Sequence, residues 1–175
     1  NPMSRFATMD ALVHDHAWII NRSVFVSTAD KVRIGERYYS SKPPMLSTVG
    51  AVIYKQLRAL TGLSFREDTA LAVKVMTLLL GGLSHVVLLG YAYQFLKHLK
   101  LSSAVVLWSY VCFAFGQLGL AYATTLNNHT PAAATAMFAI TVAVEILMSR
   151  RRADEAGDPA SETRGTLVSV TSNSA

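Results

Sequence analysis

The stretch SAVVLWSYVCFAFGQLGLAYATTL, Ser103 to Leu126, runs for 24 residues without an acidic, basic or histidine side chain. A hydrocarbon layer ~30 Å thick is crossed by about 20 apolar residues in an α-helix, and a soluble domain of this size seldom hides so long an uncharged run. Irregular backbone has no partners in lipid, so the stretch predicts a membrane helix. Two more candidates flank it. Upstream, Ala70 to Phe95 is apolar apart from Lys74, His85 and Gln94; downstream, Pro131 to Met148 carries Glu145 near its end. The reading is an all-α membrane protein with three transmembrane helices over 70–148, against the alternative of soluble core helices. Composition agrees, at 51% hydrophobic and 15% charged residues with mean hydropathy +0.32, against ~25% charged in an ordinary globular chain. It excludes a disordered chain, a collagen-like repeat and a basic nucleic-acid arm, so no nucleic-acid partner is expected. The lone Cys112 excludes a disulfide framework and a cysteine zinc cluster. Gly81, Gly82, Gly90, Gly116 and Gly119 either permit close helix contacts or are ordinary membrane-helix glycines.

Basic residues at span ends set the orientation. Lys97-His98-Leu99-Lys100 joins the first two spans and Arg150-Arg151-Arg152 follows the third, so three crossings place both on the cytoplasmic face. Lys74 and Glu145 lie near opposite membrane surfaces, where their side chains can snorkel. Residues 1–69 are then extracytoplasmic, as is the connection 124–130, in a multi-pass protein of the plasma (bacterial inner) membrane. The outer region holds nine Lys/Arg and six Asp/Glu, a basic surplus suited to anionic lipid. Residue 1 lies outside in this topology, which leads us to expect an upstream span and to read the chain as a fragment, inactive by itself. Residues 149–175 form a basic stop followed, from 153, by a disordered tail.

Two amphipathic helices are expected in the outer region, lying in the membrane interface or packed on the protein's own spans. One covers Ser4 to His16, with Phe6, Met9 and Val13 on one face. The other starts after Pro43-Pro44, with Ser41 as cap and Gly62 as stop, and aligns Leu46, Val49, Ile53, Leu57 and Leu60. Between them, Asp30 to Tyr39 predicts a short hairpin turning at Gly35-Glu36. Lys42 then stands beside two prolines and two tyrosines at a helix start. An ammonium there can read a phosphate, helped by the helix dipole and its free N–H groups, or can be a solvated lysine in a turn.

These features, in this order, resemble the first extracytoplasmic loop of the type C glycosyltransferases, in the branch of the protein O-mannosyltransferases and aminoarabinose transferases. Arg5-Phe6-Ala7 matches that loop's helix start and Ala17-Trp18-Ile19-Ile20 its turn. Tyr39-Ser40-Ser41-Lys42-Pro43-Pro44-Met45 matches its lysine element, and Ala51-Val52-Ile53-Tyr54 the interfacial helix after it. The resemblance covers residues 4–148. It implies a polyprenyl-phosphate sugar as donor and substrate, an unidentified extracytoplasmic acceptor, membrane lipid as surroundings, and no separate cofactor. By the same resemblance Lys42, Arg5 and Tyr39 belong to the donor-phosphate site. The family's acidic pair falls on Pro2-Met3, and neither is a base.

A general base must therefore come from elsewhere: Asp10, Asp15, Asp30 and His14 are the candidates, against a default of solvated charges. Asp10 and His14, four apart, can pair on one helix. Tyr122, Asn127, Asn128 and His129 form a polar cluster on the same side, reading substrate or capping two helix ends. No metal site is expected, because His14 and His16 point to different helix faces. The triplets Asn21-Arg22-Ser23 and Asn128-His129-Thr130 are incidental as glycosylation signals. Two further readings stay open: a non-catalytic membrane protein that keeps a lipid-phosphate site, and a transporter or complex subunit.

Overall fold

A computed structural model describes residues 2–116, 121 and 123–157 of the chain, with side chains as far as Asp154. It is mostly helical, with two short strands. Tyr122, residues 158–175 of the expected tail and part of the second expected span lie outside the described residues.

Helix α1, Met3–His14, is the centre of an outer layer. Eight consecutive residues, Ser4 to Ala11, are buried, so α1 has no free polar face with which to lie in a membrane surface. This corrects the amphipathic reading. Phe6 and Met9 fill the core as their spacing predicts, but the opposite face is covered too. Phe25 and Phe65 pack on Phe6 itself, while on the other side Ser4 meets Ser40 and Arg5 meets Asn128. The rings form one cluster: Phe6 lies 5.5 Å from Phe65 edge to face, Phe25 lies 5.4 Å from Phe65, and Tyr54 stacks on Phe65 at 4.0 Å. Such tilted and offset pairs use the quadrupole of the ring as well as its area.

Strands β1, Lys31–Ile34, and β2, Arg37–Ser40, pair antiparallel with Ile34 opposite Arg37, so the turn is Gly35-Glu36 as expected. Gly35 takes φ +61°, the left-handed value a tight hairpin turn needs at that position. The chain then enters α2, Pro44–Thr61. Pro43 is extended at its N-terminus and no side chain caps it, so Ser41 is not the cap. Two prolines make a cap less necessary, since Pro44 has no N–H to satisfy. Gly62 ends α2 at φ +75°, its N–H donating to Arg58 O at 2.9 Å. Ser47, Gly50, Ala51 and Tyr54 form its buried face, against α1. Leu46, Ile53 and Leu57 sit at the edge of that core, whereas Met45 and Leu60 are 79% and 84% exposed.

Thr69 to His98 is one continuous rod of 30 residues: α3 (Thr69–Thr77), a π turn (Leu78–Gly82) and α4 (Leu83–His98). Ala72, Met76 and Leu80 belong to the same core as Phe6 and Tyr54. The start of the first expected span is therefore packed into the outer layer. Gly81 is needed there, because a Cβ at this position would stand 2.8 Å from Ala123 O.

Helix α5, Ser103–Phe115, has 13 residues. At ~1.5 Å per residue it covers about two thirds of a ~30 Å layer. Among the described residues the helix of the expected span over 103–126 ends at Phe115, with the Gly116 N–H still bonded to Cys112 O at 2.7 Å. Glycine is a poor helix residue, by ~1 kcal/mol relative to alanine, and apolar character alone does not reveal that break. Helix α6, His129–Gly157, has 29 residues and continues past Arg152 into the expected disordered tail. Arg151, Arg152, Ala153, Glu155 and Ala156 are good helix formers, which periodicity alone overlooks.

Helices α4 and α6 run parallel. Tyr91 meets Phe138 with ring centroids 5.1 Å apart, Thr141 Oγ1 donates to Tyr91 O at 3.3 Å, and His98 Nε2 lies 3.1 Å from Glu145 Oε1. Glu145 is therefore paired rather than simply snorkelling. Among the described residues two helices are long and apolar enough to cross a membrane: Thr69–His98, with mean hydropathy 1.9, and His129–Asp154, with 1.8.

Candidate functional site

The hairpin delivers Lys42 to the start of α2, and its neighbours hold the connection in place. Ser41 N–H donates to Asp30 O at 3.2 Å, Lys42 N–H donates to Ser40 Oγ at 3.2 Å, and Ser40 Oγ shares a hydrogen bond of 3.0 Å with Ser4 Oγ on α1. Lys42 Nζ lies 3.3 Å from Asp30 Oδ2. The hydrogen bond from Lys42 holds the Asp30 carboxyl below the usual carboxylate range.

Arg5, one turn into α1, is buried, and its Nη2 donates to Asn128 Oδ1 at 3.2 Å. Its Nε has no partner among the described residues. Burial lowers the guanidinium pKa, and the charge of Asp30 partly opposes this. Asp30 is thus the shared counter-charge of Arg5 and Lys42. The contact to Asn128 ties the outer layer to the start of α6 across 123 positions of sequence.

Two cavities flank Pro43-Pro44. One, of ≈ 290 Å³, is lined by Thr8, Trp18, Tyr39, Lys42 and Ser47. Trp18 is 46% exposed, and Ser47 Oγ is buried without a partner among the described residues. The other, of ≈ 360 Å³, is a mainly apolar groove between the starts of α2 and α6, lined by Met45, Leu46, Val49, Pro131 and Thr135, with Arg5 and Asn128 among its polar groups. The arrangement sets a pocket with a cation, hydroxyls and aromatic rings beside a mainly apolar groove.

The expected site residues divide. Lys42 and Tyr39 share the polar pocket, Arg5 and Asn128 share the groove, and Asp30 stands against Lys42. Asn127 is a cap, its Oδ1 accepting the His129 and Thr130 N–H groups at 2.8 and 3.2 Å. His129 is exposed at the first residue of α6 and lines neither cavity. Tyr122 lies outside the described residues.

Asp10, Asp15 and His14 belong to a different place. Asp10 is fully buried, and its Oδ1 accepts Arg66 Nε at 3.2 Å while Oδ2 accepts the Val24 N–H at 3.4 Å. Arg66 Nη2 also reaches Asp15 at 3.1 Å. His14 Nε2 lies 3.6 Å from Asp10 and 3.1 Å from Tyr54 Oη, and that oxygen accepts the Phe65 N–H at 2.8 Å. Burial opposes the charge of Arg66, but Asp10 and Asp15 outweigh it and raise the guanidinium pKa. None of these groups lines either cavity; Asp10, His14 and Arg66 form a latch between α1, α2 and the approach to α3. The default of solvated charges fails for Asp10, because a buried carboxylate needs partners and Arg66 supplies one.

Thr8 and Ser47 escaped the sequence reading. Thr8 lies on α1 beside Ser4 and Arg5, and Ser47 lies on α2 beside Gly50 and Ala51; a single small hydroxyl on a helix is a weak signal. Among the described residues no group of three or more His, Cys, Asp or Glu is placed to hold a metal ion. Compared with models of protein families, with curated proteins and with solved structures, the chain matches none.

Proposed function

We propose that this chain is part of an integral membrane glycosyltransferase that moves a sugar from a polyprenyl-phosphate donor to an extracytoplasmic acceptor. One observation carries the reading: a polar pocket holding Lys42, Tyr39 and Trp18 adjoins an apolar groove holding Arg5, on either side of the α2 start. A lipid-linked sugar has the same two-part chemistry. Its prenyl chain takes the groove, its phosphate lies between Arg5 and Lys42, and its sugar ring faces Trp18. Cations and a helix N-terminus at the leaving phosphate stabilise charge that grows in the transition state. When phosphate takes over the Lys42 ammonium, Asp30 is released as a carboxylate. It accepts the proton of the acceptor hydroxyl, whose oxygen bonds to the anomeric carbon as the bond to phosphate breaks. Polyprenyl phosphate leaves with the electron pair.

In this reading α4, α5 with the residues after it, and α6 are three crossings of a plasma membrane. The exposed Met45, Val49, Val52 and Leu60 of α2 rest on its outer surface.

The test is transfer of labelled sugar from a synthetic polyprenyl-phosphate donor in membranes holding the protein with its full complement of spans. Lys42→Ala should lower transfer by about 100-fold, the usual cost of removing one group that stabilises a leaving charge. Unchanged transfer would contradict the reading. A non-catalytic lipid-phosphate protein is the second reading, favoured by the absence of an acid at Pro2-Met3 and by Asp30 already serving as partner to Lys42. It requires carrier binding that depends on Lys42, with no transfer in the unaltered protein.

A further inference from the structure

His85, three residues beyond the π turn, is 5% exposed, and neither ring nitrogen has a hydrogen-bond partner among the described residues. Burying an imidazole in apolar surroundings without a partner is costly, and such a group calls for an explanation. It lines a cavity of ≈ 500 Å³ together with Leu78, Leu79, Gly82, Val86, Ala123 and Thr124. That is within the ~300–1,000 Å³ of small-molecule pockets, and π turns gather at functional sites. The cavity shares no lining residue with the two around Pro43-Pro44.

Its chemistry and depth define the occupant. Leu78 and Val86 are strongly exposed, so the cavity opens where the apolar rod faces outward. Leu83 and Ser84 line a groove with Pro131, which puts His85 level with the first turn of α6 and close to the polar connection 124–130. Among the described residues the walls hold no Lys or Arg, so nothing in them would retain an anionic head. A neutral imidazole offers one N–H donor, and the ester carbonyls of glycerolipids lie just below the headgroups. We propose that this cavity binds one acyl chain of a membrane glycerophospholipid, with a ring N–H of His85 donating to the ester carbonyl. The proposal rests on the two long helices crossing a membrane and not on transferase activity.

The test uses the whole protein in nanodiscs of phosphatidylethanolamine and phosphatidylglycerol doped with a phospholipid that carries a diazirine in its acyl chain. After irradiation, labelled peptides are mapped by mass spectrometry. Labelling at Leu78–Val86 and Ala123–Thr124 is expected to exceed that at Trp108 and Phe115, the exposed residues of α5 that report ordinary lipid contact. His85→Leu removes the donor at similar volume and should lower cavity labelling about fivefold, the worth of one ordinary hydrogen bond. His85→Gln should restore much of it. Val86→Trp, at the exposed rim, should block entry while α5 labelling stays constant. Equal cavity labelling in the unaltered protein, His85→Leu and Val86→Trp overturns the proposal. Equal labelling by an ether-linked phospholipid overturns the carbonyl assignment, and stronger labelling by a diazirine-bearing farnesyl phosphate overturns the choice of lipid. Loss of the α5 signal as well would overturn the membrane reading beneath it.

Discussion

The outer layer and the α4–α6 helices place their large apolar side chains differently. In the outer layer Phe6, Met9, Ile20, Tyr54 and Phe65 have no exposed surface, and charged groups such as Asp10 are enclosed with partners. Along α4, α5 and α6 the large apolar side chains face outward: Leu83, Val86, Leu107, Trp108, Phe115, Ile140 and Leu147 are all exposed. Water drives the first arrangement, because removing apolar area from it stabilises by about 25 cal/mol per Å². Lipid offers no such gain, so membrane helices associate through small residues, ring contacts and a few hydrogen bonds. Helices α4 and α6 meet through a ring contact, Tyr91–Phe138, and a hydrogen bond from Thr141 to Tyr91 O.

The sharpest way to break the comparison is to truncate one ring on each side. Phe65→Ala should destabilise the outer layer by about 3–5 kcal/mol, as for a core aromatic. Trp108→Ala on α5 should cost under about 0.5 kcal/mol in lipid, in line with substitutions away from packed features. Urea unfolding in nanodiscs, followed by tryptophan fluorescence for the first variant and by circular dichroism for both, measures the two. Similar costs would mean that α5 is packed rather than lipid-facing.

Next in size is the latch. Asp10→Ala should cost about 2 kcal/mol, less than the ~3–5 kcal/mol of a fully enclosed pair, because water reaches Arg66. Arg66→Met should be similar. If the double variant costs no more than either single one, the two groups act as a pair.

Gly62→Ala should cost about 1 kcal/mol, since φ +75° is unfavourable for any residue with a Cβ. The same change at Gly90, within α4 and with open space around it, should be neutral or slightly stabilising.

Acid should reach the outer layer first. His14 titrates below its usual range because burial, then Arg58 and Arg66, oppose its charge more than Asp10 and Asp15 favour it. As pH falls through the ordinary histidine value of 6.5, the unfolded chain takes up a proton that the folded chain resists. Stability present above that pH is therefore lost below it, down to the folded-state value. The urea midpoint should fall between pH 7 and pH 5, and His14→Gln should flatten that slope. At Asp30 the sign is also testable: Lys42→Met removes the hydrogen bond that depresses the carboxyl, so its titration by carbon-13 NMR should move up towards 3.8.

Much of this was legible residue by residue. The Gly35-Glu36 turn, the Gly62 stop and the α2 start at Pro44 each follow from backbone restrictions that belong to the residue itself. The pairing of Asp10 with His14 follows from helical spacing. Burial of α1 was not legible. Its residues Ser4, Arg5 and Thr8 describe a wet face and Asp10 a charge beside Phe6, and only partners brought from positions 24, 40, 66 and 128 enclose them. The site divides in the same way. Lys42 beside two prolines stood out locally, but nothing local separated Asp30 from Asp10 as its companion.

The long apolar helices and the local geometry were determined by the sequence alone, because hydropathy and backbone restriction are properties of consecutive residues. Which charges meet, which helix face is dry and where a cavity opens were decided only by tertiary structure. Those outcomes depend on distance in space: Arg5 meets Asn128 across 123 positions and Arg66 meets Asp10 across 56. No window along the chain contains both partners.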